Sequence, residues 1–148
     1  MPDLSIRAWM TSAPPTIGPK ESVKRALAML RTAKVAELLV MDEGRVVGMV
    51  GERDIWEHCP TSALLLDDQQ AEALLEQFRV GGVMALHPPL ITPATLLPEA
   101  AQLLAQSGRS GLPVVEDGMP VGFLTEASVL QAMALLLGAD QSSVQHQA

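Results

Sequence analysis

The chain has 148 residues, 48% of them hydrophobic and 18% charged. That is enough apolar material for a sizeable core and too little charge for a disordered chain. A net charge of -7, with Lys and Arg scattered and forming no stripe, argues against a non-specific nucleic-acid binder.

The first seven residues, Met1 to Arg7, contain no apolar signal core. Ile6 to Met10 is a short apolar segment leading to Pro14-Pro15. Proline lacks an N–H and restricts its predecessor, so this predicts an extended turn and a brief edge strand at Thr16-Ile17. Val23, Ala26, Leu27 and Leu30 follow at helical spacing on one apolar face, with Ser22 placed to cap it. Two apolar runs, Leu38–Met41 and Val46–Val50, flank Asp42-Glu43-Gly44-Arg45 and predict a hairpin. A second helix begins near Glu52.

Residues 60–79 read as a connector in which Asp67 and Asp68 start a helix, with Ala71, Leu74, Leu75 and Phe78 on one face. The pattern then returns. Val80–Met84 leads to Pro88-Pro89 and the edge residues Leu90-Ile91. Leu97, Ala100, Ala101 and Leu104 form a helical face, with Pro98 tolerated in its first turn. Leu112–Val115 and Pro120–Leu124 flank Glu116-Asp117-Gly118-Met119, and a last helix begins near Glu126. Its Ala132–Leu137 stretch is the best apolar run and is far too short to span a bilayer. Residues 138–148 are polar and aperiodic, as in a frayed tail.

Setting Gly48 over Gly122 aligns the chain with itself without a gap. Met10, Pro14, Pro15, Ile17 and Pro19 fall on Met84, Pro88, Pro89, Ile91 and Pro93. Ala26, Leu30, Leu38, Val40, Gly44 and Val47 fall on Ala100, Leu104, Leu112, Val114, Gly118 and Val121. The chain is therefore divided into a first repeat over 1–59, the connector, a second repeat over 80–137 and the tail. Neither repeat is large enough to bury both faces of its elements. The expected fold is α+β, with two pseudo-twofold-related β-α-β-β-α repeats packed sheet to sheet.

Catalysis is not expected. Cys59 beside His58 is the one nucleophile candidate near a base, and adjacent residues seldom face each other productively. His58, His87 and His146 show no metal-ligand spacing. As the single cysteine, Cys59 also has no partner for a disulfide within the chain. A cytoplasmic protein without membrane or nucleic-acid contact is the default expectation.

The duplicated order of Met-x3-Pro-Pro, the Ala-x3-Leu helix, Leu112–Gly118 and Gly122-Phe123-Leu124-Thr125 resembles a stand-alone cystathionine-β-synthase (CBS) domain pair. The resemblance implies a regulatory module rather than an enzyme. It implies two inter-repeat clefts that bind adenosyl compounds, with no cofactor required. It implies assembly into a homodimer and control of a partner protein that the sequence does not name.

In that family a Gly-x-x-Thr/Ser-x-x-Asp segment closes each cleft. A hydroxyl and helix N–H groups hold phosphate, and the carboxylate accepts ribose hydroxyls. Each repeat here keeps half of the set. The first carries Gly48, Gly51, Arg53 and Asp54, with Gly51 in place of the hydroxyl residue. The second carries Gly122, Thr125 and Ser128, with Ser128 in place of the acid. Capping fits Asp54 and Thr125 as well as ligand binding does. Close packing between the two sheets fits Gly48 and Gly122. Thr16, Ile17, Leu90 and Ile91 border a base or belong to the core. Glu37, where a basic residue often stands, repels phosphate, and Lys34, Arg53 and Arg109 are the cations able to offset it. The expectation is one adenosyl site at most, in the cleft holding Asp54. It should take AMP, adenosine or S-adenosylmethionine in preference to ATP. A degenerate pair that serves only as a dimerisation or interaction scaffold is the alternative.

Overall fold

The computed structural model describes residues 3–59 and 67–138. In chain order a 3-10 turn at Ile6–Ala8 precedes β1 (Thr16–Ile17), α1 (Val23–Ala33), β2 (Glu37–Asp42), β3 (Arg45–Gly51) and α2 (Glu52–His58). The connector contributes α3 (Asp68–Gln77). Then come α4 (Val80–Val83), β4 (Ala85–Leu86), α5 (Leu97–Ser107), β5 (Gly111–Glu116), β6 (Met119–Thr125) and α6 (Glu126–Leu137). The start of the connector and the tail beyond Gly138 lie outside the described residues.

Local chemistry explains the elements. The Ser22 hydroxyl accepts the Arg25 N–H at 3.1 Å and starts α1. Asp67 and Gln70 form a reciprocal cap on α3. Pro98 sits in the first turn of α5, where its missing N–H costs nothing. Both hairpins turn on two residues, Glu43-Gly44 and Asp117-Gly118, all with positive φ. That backbone matches the twist of the strands they join. The repeats even share an irregularity: pairing slips after Val40 in one sheet and after Val114 in the other.

The sheets are not assembled within repeats alone. The first has the order β1-β2-β3-β4, so β4 of the second repeat completes the first repeat's sheet. Reciprocally, Thr11 of the first repeat bridges to Phe123 on β6, and Ile91 pairs with Val114 on the far side of β5. Leu90-Ile91 thus supplies a single bridge where a short strand was expected. The helical turn before each crossing is exchanged too. Ile6 is fully buried in the second repeat's core. Val80 and Val83 are buried in the first.

Gly48 and Gly122 make the exchange possible. A Cβ on Gly48 would stand 2.7 Å from Met84 Sδ and 2.8 Å from the Ala85 carbonyl oxygen. On Gly122 it would stand 2.9 Å from both Met10 Sδ and the Thr11 carbonyl oxygen. The close approach is therefore to the crossing segment of the other repeat, more than to the opposed sheet. Sheet-to-sheet contact is made instead by Leu39, Met49 and Phe123, flanked by Ala13.

Candidate functional site: two unequal inter-repeat clefts

Each cleft lies between the end of one repeat's second long strand and the other repeat's segment ahead of its first. Helices α1 and α5 both end in a left-handed residue, Lys34 at φ 55° and Gly108 at φ 69°. The chain then runs past Val35-Ala36 into Glu37, or past Arg109-Ser110 into Gly111. These matched triplets make the clefts unequal.

The cleft facing Thr125 is open. It encloses about 640 Å³ between Thr11–Pro15, Val35–Glu37, Phe123 and Thr125–Ala127. Its walls are mainly apolar, and its charged lining residues are Glu37 and Glu126. The Thr125 hydroxyl caps α6 by accepting the Ser128 N–H at 3.0 Å, and it lies 3.0 Å from the Ser128 hydroxyl. Ser128 is buried beneath it.

The matching cleft beside Asp54 retains about 180 Å³. The guanidinium of Arg109 stands in it beside Asp54. Nη1 donates to Asp54 Oδ1 at 3.0 Å and Nη2 to Asp54 Oδ2 at 2.9 Å, a two-pronged ion pair. Glu37 forms a second ion pair with the same Nη2. The Arg109 side chain is only 10% exposed. Asp54 also accepts the Gly51 N–H at 2.8 Å, and Glu37 accepts the Ser110 hydroxyl at 3.0 Å. A Cβ on Gly51 would lie 2.7 Å from the Ala36 carbonyl oxygen, so a hydroxyl residue does not fit there without movement.

Burial alone would push the Asp54 carboxyl up. The hydrogen bonds from Arg109 and Gly51, with the Arg109 charge, outweigh it and hold the group below its ordinary value of 3.8. For Glu37 burial prevails over Arg109 and Ser110, and the carboxyl is raised above its ordinary 4.5. The two therefore act oppositely on stability. Asp54's contribution is complete above pH 3.8 and is lost as pH falls through its depressed value. Glu37 favours the fold more when protonated, so it adds stability as pH falls through its raised value. Urea melts from pH 7 to about pH 2 should show Asp54→Asn lacking the acid loss and Glu37→Gln lacking the gain. Parallel curves for wild type and both variants would contradict this.

The structure brings together Glu37, Gly51, Arg53, Asp54 and Arg109 around the closed cleft, and Glu37 with Thr125 at the open one. Asp54 was expected to be free for ribose, but both its oxygens already hold guanidinium donors. Thr16, Ile17, Gly48, Ile91 and Gly122 line neither cleft. Ile17 and Ile91 are core residues, and Thr16 borders a separate depression with Glu21 and Arg25. Arg53 donates to the Gly108 carbonyl at 3.1 Å across the mouth of the closed cleft. Sequence reasoning missed Ala13, Val35 and Phe123 as cleft walls, although Ala13 precedes the Pro14-Pro15 pair and Phe123 lies within the Gly122–Thr125 segment. Cys59 is buried, which raises its thiol pKa, and His58 Nδ1 lies 2.9 Å from the Asp54 carbonyl oxygen. Among the described residues no group of three or more His, Cys, Asp or Glu could hold a metal, and no helix is long and apolar enough to cross a membrane.

The CBS domain family model matches residues 6–55 and 80–135. The chain belongs to the CBS domain family. Its two matched segments form a tandem CBS pair. The pair is 27% identical over 145 residues to the CBS domain-containing protein YhcV of Bacillus subtilis, covering 97% of this chain and 96% of that one. It is 28% identical over 131 residues to an A-adding tRNA nucleotidyltransferase of Aquifex aeolicus, covering 88% of this chain but 14% of that protein. Among solved structures, CBSX2 from Arabidopsis thaliana superposes with a TM-score of 0.75 at 29% identity, covering 91% of this chain and 97% of that one. CBSX2 in complex with AMP gives 0.70 at 28%, covering 88% and 97%.

Proposed function

We propose that this CBS pair is a regulatory module that binds one adenosyl compound in the open cleft and passes its occupancy to a partner protein. The open cleft itself carries the reading. Its 640 Å³ falls in the usual range for small-molecule sites, roughly 300–1,000 Å³. Apolar walls from Ala13, Val35 and Phe123 suit a purine, and the polar edge at Thr125 and Ser110 suits a sugar. The similar CBSX2 has been solved with AMP, which supports an adenosyl ligand.

Charge sets the preference within that class. Glu126 lines the cleft and no Lys or Arg does, while Glu37 beside it shares the single charge of Arg109 with Asp54. Repulsion should therefore weaken ATP more than AMP, and AMP more than adenosine, while the sulfonium of S-adenosylmethionine is favoured. Titration calorimetry with the four ligands tests the order. Glu126→Lys should tighten AMP relative to adenosine by about tenfold. Ala127→Trp, which fills the cleft from an exposed position, should abolish binding. An isotherm indifferent to Ala127→Trp would place the site elsewhere, and no binding of any of the four would leave a scaffold role.

Self-association is a companion proposal, supported by α6. Leu130, Met133 and Leu137, at i, i+3 and i+7, form one exposed apolar face of this helix. On the other side of the helix Val129 is buried in the module and Leu136 packs against its core. An apolar face of this kind is characteristic of an interface. Sedimentation should show a dimer at micromolar concentrations, converted to monomer by Leu130→Glu with Met133→Glu. A wild type that sediments only as monomer would refute the proposal.

A further inference from the structure

We propose that Arg109 is an internal plug occupying a latent second nucleoside site beside Asp54. The proposal builds on reading the open cleft as a nucleoside site, because the two clefts are copies related by the repeat. They differ at Val35-Ala36-Glu37 against Arg109-Ser110-Gly111, at Gly51 against Thr125 and at Asp54 against Ser128. Val35 lines a pocket of about 640 Å³ that extends to the lead-in segment Thr11–Pro15, whereas Arg109 lines one of about 180 Å³ confined to Ala36-Glu37, Gly51–Asp54 and Gly108–Ser110.

The chemistry of the plug matches the ligand it displaces. Two guanidinium N–H donors meet the two oxygens of Asp54, at 3.0 and 2.9 Å. The 2′ and 3′ hydroxyls of a ribose present two donors to a carboxylate in the same forked manner. Asp54 is held in place for this by the Gly51 N–H independently of Arg109. Arg109 Nε, buried and without a hydrogen-bond partner, shows that the pocket is not fully matched to a guanidinium. A cis-diol and a guanidinium are therefore alternative occupants of one acceptor.

The test counts sites. Arg109→Val gives the second repeat the residue the first already carries. Adenosine stoichiometry, by calorimetry on variants shown to be folded by circular dichroism, should rise by one per chain over wild type. Arg109→Val with Glu37→Gln removes the carboxylate that the single change strands, and should show the same increment. The gained site should bind 2′-deoxyadenosine at least tenfold more weakly, and Asp54→Asn should remove it. If wild type binds no adenosine and the variants bind one, the plug stands and the open-cleft reading falls. Equal stoichiometry in wild type and the folded variants would overturn the plug, as would a gained site indifferent to Asp54→Asn.

Discussion

Arg109→Ala is expected to lower the free energy of unfolding by about 3–5 kcal/mol, the usual cost of removing one partner from a buried ion pair. Arg109 is the shared cation of two buried carboxylates, Glu37 and Asp54. Its loss leaves both inside the protein with the Ser110 hydroxyl and the Gly51 N–H as remaining donors. Neither donor carries charge, so desolvation of two anions goes largely uncompensated. The loss is also non-local, because Arg109 ties the second repeat to the first across 55 residues of chain. Urea denaturation of wild type and variant measures it directly. Arg109→Ala with Glu37→Gln should recover part of the loss, since one stranded charge is then gone. Arg53→Ala is the control: its side chain is 68% exposed, and the change should be small. Equal losses for Arg109→Ala and Arg53→Ala would show that the buried pair does not hold the repeats together.

Gly48→Val and Gly122→Val should each destabilise by about 1–3 kcal/mol, the range for overpacking a tight contact. In each case the new side chain meets a backbone carbonyl of the crossing segment, Ala85 or Thr11, as well as a methionine sulfur. Methionine is flexible and can yield. The carbonyl cannot, because it belongs to the ladder: Phe123 N–H donates to the Thr11 carbonyl at 2.9 Å, and Thr11 N–H returns to Phe123 at 2.8 Å. Moving the segment would therefore break pairing and pull Ile6 or Val80 from the opposite core. Hydrogen exchange should find protection lost in both repeats from either single substitution. If Gly48→Val disturbed only the first repeat, the exchange would not be the coupling element inferred here.

Much of this molecule is decided within short windows of sequence. The apolar face Val23-Ala26-Leu27-Leu30, the Ser22 cap, Pro98 in a first turn and the acidic-Gly hairpins depend on neighbours a few residues apart, and the gap-free repeat shows each pattern twice. Those signals sufficed for the α+β class and the paired repeats, and they placed Glu37, Asp54 and Thr125 near the clefts. Tertiary structure decided two further things. One is the exchange of lead-in segments, which buries Ile6 in one core and Val80 in the other. The two repeats carry nearly the same apolar pattern, so that pattern does not say which core receives which segment. The other is the identity of the open cleft. The carboxylate at Asp54 pointed to the first repeat's cleft, yet the long side chain of Arg109 reaches across from the second repeat and stands in it. Where a flexible cation points depends on which carboxylates the fold sets within its reach, and those lie far away along the chain.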